Sequence, residues 1–257
     1  MISNLASVHP KAKIGKNVTI EPFVTIYEDV EIGDNTWIAP NVVVFPDTTI
    51  GHDCKIYPGA SIGAVSQDLK YKGEPTKTII GNNTVIREYV TVHKGTADRH
   101  LTKIGDNCLI MAYVHVAHDC LIGNNVILAS YVGLAGHITI EDFAILEGGA
   151  VAQQFITIGA HAFVAGATLI RKNVPPFIKV AREPIQFIGV NSIGLSRRGF
   201  EKETITQIED IYRTIFVRGH SVSKAIEIVE AEIPSTEVRN QIINFIRNSK
   251  DGVVKGV

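Results

Sequence analysis

The chain has one tryptophan, two methionines and three cysteines in 257 residues, and its formal net charge is only −1. Near-neutrality excludes the broad basic field by which a protein collects nucleic acid or another polyanion. No apolar stretch approaches the ~20 residues that a bilayer-spanning helix needs, so stable membrane insertion is not expected. The opening Met1-Ile2-Ser3-Asn4-Leu5-Ala6-Ser7-Val8-His9-Pro10 has no basic segment leading into an apolar one. A secretory leader is therefore not expected, and a soluble cytoplasmic protein is. What the chain does have is 45% hydrophobic residues, enough for one large domain or a large one with a small companion.

Those hydrophobic residues recur every six positions. From Ile14 the series runs through Ile20, Ile26, Ile32, Ile38, Val44, Ile50, Ile56 and Ile62. It resumes at Ile80, Ile86 and Val92, and again from Ile104 through Val116, Leu134 and Ala152 to Ile170. Of the 24 positions only Ala152 is not a branched aliphatic. Six is neither the helical nor the strand period, and it suits a coil of short strands and turns. Glycine follows the core residue at Gly15, Gly33, Gly51, Gly105, Gly123 and Gly159, spacings of 18 or its multiples, with Glu141 in the one missing place. Three hexads therefore make a turn, and the coil has three faces. The glycine-marked face is A, and B and C follow it. The residue four after each core position is small or β-branched, as at Val18, Thr36, Val90 and Ala150, so two sites per hexad point into a narrow prism. Cys54, Cys108 and Cys120 all fall on this second inward site, which makes them buried thiols rather than a disulfide or metal group.

The same ruler collects histidine. His93, His115, His118 and His137 lie on or beside face C within three turns, roughly 10 Å of coil axis. Two departures from the period, at about 63–78 and 95–103, leave from the corner between faces C and A and are expected to overhang these histidines or reach a neighbouring subunit. A neutral imidazole suits a general base; three imidazoles at one spot would suit zinc, as in the γ-class carbonic anhydrases, and a scaffold without catalysis is the third reading. Val174-Pro175-Pro176 ends the coil, because consecutive prolines supply no ladder donors. Beyond Gly199 the period turns helical, with Ile205, Ile208, Ile211, Tyr212, Ile215 and Phe216 on one face and a stop at Gly219. A second helix is expected around Ala225–Val229, and a third capped by Ser235. The division is thus 1–190 for the coil and 191–257 for a helical domain.

The units Ile32-Gly33-Asp34-Asn35, Ile104-Gly105-Asp106-Asn107 and Ile122-Gly123-Asn124-Asn125 resemble those of the hexapeptide-repeat acyltransferases. That resemblance implies a mainly β fold, a left-handed parallel β-helix, here with a C-terminal α-helical domain. Handedness comes from the resemblance alone. His115-Val116-Ala117-His118-Asp119-Cys120, Leu134-Ala135-Gly136-His137, Gln154-Phe155, Gly189-Val190-Asn191 and Arg197-Arg198-Gly199-Phe200 are similar to the UDP-N-acetylglucosamine O-acyltransferases, which start lipid A synthesis. So are Gln67-Asp68-Leu69-Lys70-Tyr71 and Gly73-Glu74-Pro75-Thr76 in the first loop.

The resemblance implies a homotrimer with no metal and no cofactor. His118 would be the general base that lets the sugar 3-hydroxyl attack the thioester of an (R)-3-hydroxyacyl-acyl carrier protein, with the Gly136 N–H stabilising the oxyanion. Asp68, Lys70, His93, His115, His137 and Gln154 would hold UDP-N-acetylglucosamine, and Asn191 and Arg198 would reach the nucleotide. Gly166 would set acyl length, and with Ala165 beside it a chain of about 14 carbons or longer is expected. Gln153 and Ile193 depart from the histidine and glutamate frequent in the family. Whether Asp119 polarises His118 stays open. Arg171, Lys172, Lys179 and Arg182 near the coil's end are a candidate surface for the acidic carrier.

Overall fold

The computed structural model describes residues 1–256. From Ser7 to Ile170 the chain winds as short strands, most of them of two residues, separated by tight turns. Parallel pairing stacks them into three sheets among the described residues, of eight strands on face A, nine on face C and eight on face B, where two later strands bring the sheet to ten. The register follows the sequence ruler: Ile14 lies opposite Ile32, Thr19 opposite Trp37 and Thr25 opposite Val43. Every core position from Ile20 to Ile170 is buried, and so are all three free cysteines. Burial pushes the Cys108 thiol up to about 11 and the Cys120 thiol up to about 12, so both remain protonated.

Each hexad turns its corner through one residue in the left-handed region. Asn17, Asn35, Asn107 and Asn125 take it with φ between 56° and 59°. Asparagine tolerates this region, which is why it closes the Ile-Gly-x-Asn unit. The glycine in that unit answers a contact along the coil axis. A Cβ on Gly105 would stand 2.6 Å from Asn124 Oδ1, and that oxygen accepts the Asp106 N–H at 2.9 Å. Face A is thus laced by a column of side-chain caps that leaves no room for a side chain at Gly105.

The loops span Val65–Thr76 and Lys94–His100 between longer strands, Ser61–Ala64, Lys77–Ile80, Thr91–His93 and Leu101–Ile104. Both run from face C to face A, at the corner the sequence indicates. The pairing partner is 18 residues on in a plain turn, but Thr48 pairs with Thr78 and Lys77 with Leu101, offsets of 30 and 24. Insertions in whole hexads keep the series in phase across both breaks.

The coil does not stop at Val174-Pro175-Pro176. Face A ends there, but Ile178–Ala181 adds one more parallel strand to face B, beside Phe163-Val164, and Gln186–Val190 returns antiparallel to close the sheet. A short helix that the sequence reading did not anticipate follows, α1 (Ser192–Arg197), then α2 (Lys202–Phe216), α3 (Val222–Glu232) and α4 (Glu237–Asn248). The last is capped by Thr236, whose hydroxyl accepts the Arg239 N–H, and not by Ser235, which bonds the Asn240 side chain instead. Phe187, Tyr212 and Phe216 pack together where the helices close the coil, and the buried Tyr212 hydroxyl donates to Pro176 O at 2.6 Å. No helix among the described residues is long and apolar enough to cross a membrane.

Candidate active site at one corner of the coil

The corner between faces C and A carries four histidines on successive turns. His93 ends the strand Thr91–His93, and His115 begins the next strand, in register with Thr91. Thr91 Oγ1 lies 2.7 Å from His115 Nδ1, and the His93 and His115 rings meet edge to face at 4.9 Å. Burial first, then the charges of His115 and His118, lower His93 to about 4; burial first and then His118 lower His115. Both are therefore neutral hydrogen-bonding groups near neutral pH.

His118 is buried, and its Nδ1 lies 2.8 Å from Asp119 Oδ2. Asp119 is fully buried and heavily bonded. Its carboxylate accepts the Thr96 N–H at 3.0 Å, the Thr96 hydroxyl at 2.6 Å and the Arg99 N–H at 3.1 Å. Desolvation alone would raise its pKa, but the bonds from Thr96, His118 and Arg99 outweigh it and hold the carboxyl below the usual range. The two residues form a dyad in which the carboxylate fixes the imidazole, leaving Nε2 for chemistry. That Nε2 is 3.8 Å from Asp68 Oδ2 in the first loop. On its other side is Gly136, where a Cβ would stand 2.6 Å from Nε2, so a side chain there would displace the ring. Among the described residues the Gly136 N–H donates to no ladder carbonyl.

A cleft of about 470 Å³ opens here, lined by Gln67, Asp68, Lys70, His93, His115, His118, Gly136 and Gln154 together with Leu69, Ala117 and Ala135. Seven sequence-predicted residues therefore converge on it. His137 adjoins this cleft, edge to face with His118 at 4.9 Å, without contributing to its lining. Its other face stacks on Phe155 at 4.4 Å. The remaining predicted residues lie on other corners of the same chain. Asn191 donates through Nδ2 to His161 O at 3.0 Å and Arg198 through Nη2 to Phe143 O at 3.0 Å, and both acceptors belong to the corner between faces A and B. Gly166 follows the face B strand Phe163–Val164, toward face C. Ile193 is exposed on α1 and Gln153 is exposed beside Gln154.

Donor atoms of His118, Asp119 and His137 lie within 4.8 Å of one another and could approach one metal ion. The Asp119 oxygens are already committed to Thr96, Arg99 and His118, so the set reads as a proton-handling dyad with a neighbouring imidazole. Sequence reasoning quoted Glu74 within a loop motif but gave it no role, and passed over Thr96, Asp98 and Arg99. They sit in the loops, where no period marks them.

A parallel coil of hexads with an imidazole–carboxylate dyad at a corner cleft defines a hexapeptide-repeat acyltransferase. Residues 11–46, 29–64 and 101–136 match the bacterial transferase hexapeptide repeats, and residues 173–254 match the second domain of UDP-N-acetylglucosamine O-acyltransferase. The acyl-[acyl-carrier-protein]–UDP-N-acetylglucosamine O-acyltransferase of Aliivibrio fischeri (strain MJ11) is 42% identical over 99% of this chain and 100% of its own length. That of Pseudomonas paraeruginosa is 40% identical, covering 100% of this chain and 98% of its own. The crystal structure of the UDP-N-acetylglucosamine acyltransferase of Bacteroides fragilis 9343 superposes with a TM-score of 0.98 at 46% identity, over 99% of this chain and 100% of that one. The chain belongs to the UDP-N-acetylglucosamine O-acyltransferase family, and its coil is the left-handed parallel β-helix with a helical C-terminal part.

Proposed function

We propose that this enzyme transfers an (R)-3-hydroxyacyl chain from acyl carrier protein to the 3-hydroxyl of UDP-N-acetylglucosamine, the first step of lipid A assembly, in the cytoplasm. The observation that carries the chemistry is the His118–Asp119 contact of 2.8 Å, set in a cleft with Gly136 against the free ring nitrogen. His118 Nε2 removes the proton as the sugar oxygen bonds to the thioester carbon. The Gly136 N–H stabilises the oxyanion of the tetrahedral intermediate. The carbon–sulfur bond then breaks, and the imidazolium returns its proton to the leaving thiolate. Asp119 steadies the imidazolium between the two transfers. Asp68, Lys70, His93, His115, His137 and Gln154 hold the nucleotide sugar.

In this reading the coil, residues 1–190, carries the chemistry and 191–257 forms the helical domain. Asn191 and Arg198 serve the cleft of a neighbouring copy in a homotrimer, since their corner faces away from the cleft of their own chain. An apolar ladder on the remaining corner supports the trimer: Tyr89, Tyr113 and Tyr131 are exposed and stack at 5.3 and 5.1 Å. For the acidic carrier, Lys179 and Arg182 are the stronger half of the basic group. Arg171 is paired with Glu183 at 3.0 Å, and Lys172 donates to Asp251 O at 2.8 Å.

An acyl-transfer assay with purified protein tests this. It combines a panel of 3-hydroxyacyl carrier proteins with UDP-N-acetylglucosamine and its 3-amino analogue. O-acylation with donors of about 14 carbons or longer is expected from the small side at Gly166. No transfer to the hydroxyl would reject the function, and a 10-carbon optimum would reject the role of Gly166.

A further inference from the structure

The second loop does not line the cleft but fastens the dyad beside it. Thr96 and Arg99 hold the dyad's carboxylate, and Arg99 Nη1 also donates to Asp119 O at 2.9 Å. The Ala97 N–H donates to Glu74 Oε1 at 2.9 Å and so joins this loop to the first, which carries Asp68 and Lys70. Between these anchors Asp98 reaches in from the rim. Its Oδ2 lies 2.9 Å from His137 Nδ1, although its own side chain is 60% exposed and that of His137 only 9%.

We propose that Asp98 is a positioning residue for acyl transfer, one that fixes the ring of His137 so that Nε2 is the nitrogen left for the nucleotide sugar. The ring is held from three directions. Phe155 stacks on one face, with 8° between the planes, and His118 stands edge-on at 86°. Asp98 takes Nδ1, with Asp119 Oδ2 further off at 3.9 Å. His137 sits at a left-handed corner, φ 64°, which removes freedom from its backbone and leaves rotation of the ring as the motion to be restrained. Nδ1 is buried and has no aligned hydrogen bond, so the Asp98 contact acts as a charge beside the nitrogen rather than along its N–H axis. Contacts of this kind align when a ligand takes the other side of the ring.

The proposal rests on the acyl-transfer reading, and steady-state kinetics on Asp98→Ala, Asp98→Glu and Asp98→Ala/His137→Asn tests it. Removing a charge-assisted contact at a half-exposed rim raises the KM for UDP-N-acetylglucosamine about fivefold to tenfold. kcat stays within about twofold and the acyl-donor KM is unchanged, the pattern of lost ground-state positioning. Asp98→Glu restores the KM, and Asp98→Ala adds nothing in the His137→Asn background. Any other pattern overturns the role, whether no change or a change that persists without His137. His118→Ala keeps the two ideas apart. If it is inactive while Asp98→Ala behaves as wild type, only Asp98 is rejected; if it transfers acyl chains like wild type, the base role of His118 fails; and if wild type transfers none, the acyl-transfer reading itself fails.

Discussion

A buried imidazole with no carboxylate partner resists protonation, and His93 is the clearest case in this molecule. It titrates at about 4, against 6.5 for a free imidazole, because burial and then the charges of His115 and His118 oppose its charged form. Between those values the unfolded chain binds a proton that the folded chain refuses. Stability is therefore intact above pH 6.5 and falls as the pH drops through the window to 4, by on the order of 3 kcal/mol. His161 is lowered to about 4 as well, by burial first and the Arg198 charge second, and steepens the same limb. Melting temperatures measured from pH 7 to 4.5 should fall less steeply for His93→Gln than for wild type, and equal slopes would contradict this. The inward residues of the hexads were legible in the sequence because they repeat every six, and the four histidines because each lies within three residues of a core position on face C. Asp98 was not, because it belongs to an insertion where position says nothing about neighbours. The Asp119–His118 pairing was open for another reason: adjacency in sequence does not fix whether two side chains turn toward each other.

The two loops act as one element. Glu74 bridges them, Thr96 and Arg99 fasten the second to Asp119, and the Asp119 N–H donates to Thr102 Oγ1 at 2.8 Å on the next strand. Thr96→Val keeps the shape of the side chain and removes the hydroxyl that donates to a buried carboxylate. It should lower unfolding stability by about 1–3 kcal/mol and reduce kcat several-fold, with Thr96→Ser restoring both. Denaturant midpoints and kcat measured together check this, and an unchanged kcat would show that the loop does not tension the dyad. The elements were unevenly legible. The three longer helices announce themselves by apolar spacing, whereas α1 has a single buried residue, Leu195, and no periodic signal. The cap of α4 moved by one residue because the Ser235 hydroxyl is engaged by the Asn240 side chain, which leaves Thr236 Oγ1 to accept the Arg239 N–H.

At the scale of the molecule, a three-sided prism separates its functional groups by corner. The cleft lies between faces C and A, the Asn191 and Arg198 side chains near the corner between A and B, and the tyrosine ladder between B and C. In the proposed trimer the first two come together only between copies, because one chain holds them on different corners. The period in the sequence revealed the faces but not which of them meet between chains, since that depends on exposed surface rather than on the buried repeat. The most direct test mixes two impaired variants. His118→Ala removes the base from one side of the shared site and Arg198→Ala removes the nucleotide contact from the other. Each homotrimer should show acyl transfer reduced by at least about a hundredfold for the base and about tenfold for the contact. Subunits exchanged or co-expressed should form mixed trimers in which some sites pair an intact His118 with an intact Arg198, and acyl transfer should rise well above that of either parent. Activity that stays at the level of the two parents mixed without exchange would contradict a site built between chains.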